Sequence, residues 1–399
     1  LITSFGAVNS TIYNGTTSLG TITGVCTGIT ETFVGTVATL VFTSSDSTAW
    51  YYDTGVGTVT KITDVDFPGN AGKTLVGTFA HIKGFACIMT SDGQVWASDV
   101  NSLTGWSANS FDTASAYPDK GVGLVRSGNL VLAFGSESIQ KYQDAGLTPF
   151  PLKDIDGQTA HYGATSADAI ATIADTIFFC GSSDKGGISI FQLDGSIVKR
   201  ISTPEQDFQL LLAGPTNISL TTERYYGRSF AVVKANQITY AYVIEDQRWH
   251  ERQSTTPLWY KSAGLSSGSQ IITYSISKIS TSGKVYVINP SNLVFEDDGV
   301  AYTATIQSGV TDHGTRNTKF YEDLRIAADI EPSTSVLTVS KSDDDYQTFD
   351  TLGTVDLSVA NPHLTRLGSS RARAWKLTHS ANTAFRIERA GGNLTVGRF

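Results

Sequence analysis

The side chains best placed to do chemistry in this 399-residue chain lie in one short run, Ser342-Asp343-Asp344-Asp345-Tyr346-Gln347-Thr348-Phe349. A carboxylate at Asp344, flanked by hydroxyls at Ser342 and Thr348, can accept O–H and N–H bonds from its neighbours and lock a tight turn. That is fastening chemistry. Glycoside hydrolysis needs two carboxylates at a defined separation, and nothing among the 37 Asp and Glu residues singles out such a pair. The six histidines, His81, His161, His250, His313, His363 and His379, show neither HxH nor HxxxH spacing, so no metal set is expected. Cys26, Cys87 and Cys180 form an odd group without paired spacings. They read as buried free thiols, with assembly in a reducing compartment. No phosphate-cradling GxxxxGK[ST] loop occurs. The expectation is a chain with no metal and no cofactor, while the many Asp and Glu leave a carboxylate pair open.

Arg366-Leu367-Gly368-Ser369-Ser370-Arg371-Ala372-Arg373 is the one dense basic stretch. Arg366, Arg371 and Arg373 could meet a phosphate or an acidic neighbouring subunit. The plainer reading is a solvated edge strand paired with the Asp343–Asp345 turn. Pairing between strands or between subunits is the expectation. The Ser342–Phe349 run resembles the Asp box, Ser-x-Asp-x-Gly-x-Thr-Trp, a hairpin turn of sialidase propellers and other proteins. Tyr346 stands where that pattern has Gly. A single copy of a structural turn gives no ground for a sialidase.

These residues need elements to hold them, and the elements are strands. Apolar spacing of helical period never persists beyond about ten residues. Short β-branched and aromatic runs bounded by Gly, Asp, Asn and Ser recur instead. Six units each show a strand, a polar turn, a second strand with aromatic residues, and then Asp or Asn. Leu40–Phe42 with Ala49–Asp53 is the first, and Phe85–Ile88 with Gln94–Asp99 the second. Leu130–Phe134 with Ile139–Asp144 and Ile177–Cys180 with Ile188–Asp194 follow. Phe230–Val233 with Ile238–Asp246 and Ser277–Ile279 with Val285–Asn289 complete the series. The closing residues, Asp53, Asp99, Asp144, Asp194, Asp246 and Asn289, are spaced by 46, 45, 50, 52 and 43. Four-stranded propeller blades repeat at about 40–50 residues. A hairpin cannot bury both faces alone, so neighbouring blades must stack. The expected fold is all-β, a six-bladed β-propeller-like domain over 31–300. A pair of β-sandwiches is the competing arrangement. The turn acids should fasten their turns by accepting N–H groups two residues on.

Residues 301–399 contain strands without the blade pattern, such as Arg325–Ala328, Ser335–Val339, Ala374–Thr378 and Ala384–Glu388. They read as a C-terminal β-sandwich, a platform domain, with 1–30 as an N-terminal β segment contributing to platform or blade closure. Charge divides the same way. Residues 301–399 carry 11 basic and 11 acidic residues, so the net −8 of the chain resides in 1–300. That excludes a nucleic-acid binder working through a broad basic face. No run of 18 apolar residues exists, so no membrane-spanning helix is expected. Leu1–Phe5 lacks the charged start of a secretory signal, and the absent initiator Met implies trimming or processing.

Several segments, in this order, resemble the tail-hub or nozzle proteins of short-tailed bacteriophages, also called packaged-DNA stabilisation proteins. They begin with Asp92–Ser98, Phe111–Ala114, Pro118-Asp119 and Val122–Leu124. Asn129–Gly135, Tyr142–Gly146, Ile173–Phe179 and Gly186-Gly187 follow. Arg200-Ile201-Ser202-Thr203-Pro204 is the tightest match, and Arg248–Arg252 closes a later blade. Ser342–Asp344 and Leu367–Arg373 match the last domain. The similarity spans roughly residues 60–390, residues 1–60 match poorly, and Tyr346 departs from the family's usual Gly. The resemblance implies a virion structural protein without catalysis. Six copies would form a ring below the portal and adaptor, a conduit that retains packaged genome DNA and lets it out. Tail fibres or spikes would dock near the hub, and DNA would pass the lumen without sequence-specific binding. Localisation would be the virion tail, after assembly in the host bacterial cytoplasm. The alternatives are a glycan-binding adhesin, to which six Trp and 16 Tyr are suited, and a glycan-active propeller.

Overall fold

The computed structural model describes residues 5–398, apart from 15–16, 36, 54–56, 115–116, 118, 156, 174, 184–185, 226, 236–237, 253–259, 266–272, 278–284, 289–294, 298 and 385. The chain divides into two compact units. One comprises Leu1–Gln253 with Pro257–Ile288, the other Ser254–Thr256 with Asn289–Phe399.

The first unit is a six-bladed β-propeller-like domain built from consecutive antiparallel meanders. The first blade holds Cys26–Val34, Val37–Ser44, Ala49–Asp53 and Val59–Lys61. The second holds Leu75–Ile82, Phe85–Thr90, Gln94–Ala97 and Phe111–Thr113. The third holds Gly121–Ser127, Leu130–Gly135, Ile139–Asp144 and Leu152–Asp154. In the fourth, Tyr162–Ala164 and Ile170–Ile173 both pair with Thr176–Ser183, so its first strand is interrupted. Ile188–Asp194 and Ile197–Arg200 complete it. The fifth holds Ile218–Tyr225, Arg228–Ala235, Ile238–Val243 and Arg248–Arg252. The sixth shows Tyr260–Leu265, Thr273–Ser277 and Val285–Ile288. The two strands expected per unit are therefore the second and third of each blade. The expected Ser277–Ile279 strand falls mostly outside the described residues.

Strand periodicity explains why these sequences are apolar on both faces. Val131 and Ala133 point into the core shared with the second blade, beside Cys87, Met89 and Val95. Leu132 and Phe134, one residue out of phase, point into the core shared with Ile177 and Phe179 of the fourth. Phe178 and Cys180 then face Ala231 and Val233 of the fifth. Each inner strand is sandwiched, so alternation apolar-in, polar-out is replaced by an apolar run. The blades meet through their first strands. Gly77 and Gly123 show how close that approach is: a Cβ on Gly77 would lie 3.0 Å from the Gly123 Cα, and Gly77 has φ +69°. Only glycine suits both constraints. A three-stranded N-terminal sheet, Phe5–Val8, Thr11–Asn14 and Thr17–Thr21, lays Ile12 against Phe42 and Tyr52 of the first blade.

One α-helix, Pro204–Ala213, follows the fourth blade. Its start is written locally. Thr203 caps it, Pro204 opens it, and the Thr203 N–H donates to Gln206 Oε1 at 2.9 Å in a capping box. Leu210 and Ala213 are buried, while Phe208, Leu211 and Leu212 are exposed.

The second unit is a β-sandwich. Its four-stranded sheet runs Ala304–Gln307, Ala374–His379, Val336–Ser342, Asp350–Asp356 in spatial order. The opposing layer has two three-stranded pieces in line. Lys319–Tyr321 lies between Ser369–Ser370 and Leu394–Val396, and Asp323–Ala328 between His363–Thr365 and Ile387–Gly391. Leu337, Val339, Val355 and Leu377 from one sheet pack on Leu324 and Ile326 from the other.

Candidate functional site

The Ser342–Phe349 run is a fastened turn between Val336–Ser342 and Asp350–Asp356. Ser342 Oγ donates to Asp344 Oδ1 at 2.8 Å. The Thr348 N–H donates to the same oxygen at 3.0 Å, and Thr348 Oγ1 to Oδ2 at 2.5 Å. The Thr348 and Ser342 bonds hold the half-buried Asp344 carboxyl down at about 2, below its ordinary 3.8. Tyr346 occupies the Gly position of the Asp-box pattern with φ +68°, the left-handed region that costs a non-glycine residue. Its side chain is tied instead: Val310 N–H donates to the Tyr346 hydroxyl at 2.8 Å. Phe349 carries the Lys376 ammonium 5.0 Å above its ring. Because the folded Asp344 pKa lies below the ordinary value, its contribution is present above about pH 4 and lost as pH falls toward about 2. Asp344→Asn should therefore lower the urea midpoint of the second unit at pH 7. The gap from the parent should close between about pH 4 and 2. A gap unchanged across that window would show that the carboxylate charge is not what fastens the turn.

The structure separates the three arginines. Arg373 is fully buried. Its Nε and Nη2 donate to the two Asp343 oxygens at 2.7 and 3.0 Å, and Nη1 donates to the Leu367 carbonyl at 2.8 Å. The guanidinium lies 4.1 Å from the Tyr321 ring centroid and 5.3 Å from that of Trp375. Burial pushes the Asp343 carboxyl up, but bonds from Arg373 and Lys341 outweigh it and leave the pKa below the usual range. Arg373 thus pairs with the acidic turn inside the chain, the inter-strand arrangement. Arg366 and Arg371 are exposed.

Of the closing blade acids, Asp144 takes the Gly146 N–H at 3.2 Å, two residues on as expected, and pairs with Lys83. Asp246 instead meets Arg228. The Asp53 side chain and Asn289 lie outside the described residues. The hairpin-tip acids do comparable work. Asp46 takes Thr48 Oγ1 at 2.7 Å. Burial pushes its carboxyl up, yet Thr23 and Thr48 bonds bring it to about 2. Among the described residues no three His, Cys, Asp or Glu side chains converge as a metal set.

Lys141, on the third blade, is buried, and its Nζ donates to Ser196 Oγ at 2.7 Å and the Gly195 carbonyl at 3.0 Å on the fourth. Burial pushes its pKa down. It stitches two blades, and the local signal was a lone charge between Ile139 and Tyr142. Cys87 and Cys180 are buried free thiols and Cys26 is half-buried. Burial drives the Cys87 thiol up to about 12.

A family model described as "Phage_stabilise: Bacteriophage P22 Gp10, beta-propeller" matches residues 8–270. No curated protein matches. Among solved structures, a Mycobacterium tuberculosis puromycin-hydrolyzing peptidase aligns with TM-score 0.39 and 10% identity over 69% of this chain and 49% of its own. The extracellular domain of the one-component system BT4673 from B. thetaiotaomicron aligns with TM-score 0.43 and 12% identity, over 72% and 34%. A mitotic checkpoint complex structure gives 0.42 and 10%, over 71% and 82%. The chain spans about half the length of the first of these and a third of the second.

Proposed function

Since the chain belongs to the phage-stabilisation family of bacteriophage P22 Gp10 β-propellers and is a structural protein of the phage tail, we propose that it is a subunit of the tail hub or nozzle. In this reading six copies close a ring below the portal and adaptor, retain packaged DNA and permit its ejection. Fibres or spikes dock nearby, assembly takes place in the host cytoplasm, and the chain performs no catalysis. Residues 31–300 serve as the propeller and 301–399 as the platform. Arg366 and Arg371, exposed and clear of the Asp343 pairing, are the basic residues offered to a neighbouring subunit.

Charge supports the conduit most directly. All of the net −8 lies in residues 1–300. Lys73, Lys83, Arg200, Arg228 and Arg252 of that region face carboxylates of their own unit, and Lys141 is buried. A passage for a polyanion works by not gripping it. A basic wall would release counterions on contact and hold the phosphates. Native mass measurement of the purified protein should find a particle near six times the 42.7 kDa chain mass. A stable monomer at tail-assembly concentrations overturns the ring. Gel-shift assays at physiological salt should show no retention of duplex DNA, and submicromolar binding would contradict a passive lumen.

A further inference from the structure

The geometry points to a binding cleft for a neutral sugar ring in the β-sandwich, between the edges of its two sheets. It stands on the second unit alone and is independent of the conduit reading. The strand Ala304–Gln307 ends one sheet, while Ile387–Gly391 and Leu394–Val396 end the opposing layer. Between them opens a cavity of about 470 Å³, within the range of small-molecule sites, which are apolar with a few convergent polar groups.

The floor is aromatic and fixed. Trp375 meets the Tyr321 ring edge-on at 5.6 Å, its ring centroid lies 5.3 Å from the Arg373 guanidinium, and its backbone N–H donates to Ser308 Oγ at 2.9 Å. Leu324 and Leu377 complete the apolar wall. A pyranose offers such a surface its C–H face. The polar groups suit its hydroxyls. Asp323, Gln307 and His313 line the cleft. Asp323 is held in place by the Asn393 N–H at 2.8 Å and Arg325 Nε at 3.0 Å. The Asn393 bond foremost keeps its carboxyl below the usual range, ionised as an acceptor. No Lys or Arg lines the cavity, and the only charge there, Asp323, is already paired with Arg325, so nothing in the wall offers phosphate, sulfate or uronate a countercharge. The ligand class is therefore uncharged.

Three glycines at the mouth sharpen the case. Gly392 is required by packing, since a Cβ would sit 1.8 Å from the Asp323 carbonyl. Gly309 and Gly391 have no such reason. A Cβ at either meets nothing within 4 Å, and neither has a left-handed φ. Bare backbone that neither turn nor packing demands is what close approach of a ligand requires.

The test is saturation-transfer NMR on the full chain with glucose, galactose, N-acetylglucosamine and glucuronate, followed by titration. At least one neutral sugar should bind, with Kd near the millimolar range at about −4 kcal/mol, and glucuronate should not. Gly391→Val adds bulk without an internal clash and should weaken binding at least tenfold while leaving the melting temperature in place. Gly309→Val is the second variant should the first fold poorly. The proposal falls if no neutral sugar binds, if glucuronate binds best, or if both valine variants bind like the parent. It falls equally if an extended apolar peptide binds in place of every sugar, which would make the cleft an edge for strand addition.

Discussion

Arg373→Ala should unfold the β-sandwich more readily by about 3–5 kcal/mol, the usual penalty for removing one partner of a buried ion pair. The guanidinium is 0% exposed and the Asp343 side chain 24% exposed. The carboxylate therefore recovers part of its hydration, and the lower end of that range is expected. Three effects combine. Asp343 loses a bidentate partner, the Leu367 carbonyl loses its donor, and the space against the Tyr321 and Trp375 rings empties. Lys341 still holds Asp343 at 2.6 Å, so the acid is not left alone. Arg373→Lys should recover less than half of the loss. An ammonium cannot reproduce a planar fork or lie flat on two rings. Urea unfolding read by hydrogen exchange of Ala374–His379 measures both variants. A loss below about 1 kcal/mol would put the pair in the class of exposed salt bridges.

Phe179→Ala should cost about 3–5 kcal/mol in the propeller. Its ring is stacked on Phe191 at 5.2 Å and meets Phe134 of the third blade edge-on at 5.4 Å. All three are buried. Sheets on both sides are rigid, so the cavity cannot collapse and the lost contacts are not replaced. Phe208→Ala on the helix is the control. That ring is 54% exposed, and its removal should stay within about 0.5 kcal/mol. Thermal unfolding of the two variants side by side reads the contrast, and equal losses would mean that the third and fourth blades are not held by this cluster.

The blade centres were legible because burial on both faces leaves an apolar run that few other structures need. Leu130–Gly135 is such a run, and turn residues bound it. The outer members of each blade were not. Val59–Lys61, Phe111–Thr113 and Leu152–Asp154 are three residues long, too short for any periodicity. First strands such as Cys26–Val34 place Gly28, Thr30 and Thr32 inward and Ile29 and Phe33 outward, which inverts the apolar pattern expected of a strand. The helix was concealed differently. Thr203-Pro204-Glu205-Gln206 spells a cap and box, but half-exposed apolar residues blur its amphipathic stripe. The Ser342–Thr348 turn could be read because the bonds that fasten Asp344 are local. The pairing of the basic stretch with the Asp343–Asp345 turn could be read from charge, but the full burial of Arg373 could not, since its partner lies 30 residues upstream and a basic cluster ordinarily signals surface.

The two units also differ in how far apart along the chain their paired strands lie. Within each blade a strand pairs with the one just made, as Leu130–Gly135 does with Ile139–Asp144. In the sandwich, Ala304 pairs with His379 and Lys319 with Val396. Short loops close at little entropic cost, and distant ones must wait for the far segment to exist. On the ribosome, each blade's hairpins can therefore form as soon as they clear the exit tunnel. The sandwich must stay open until Leu394–Val396 has emerged, which makes it the stretch most exposed to mispairing with a neighbouring nascent copy.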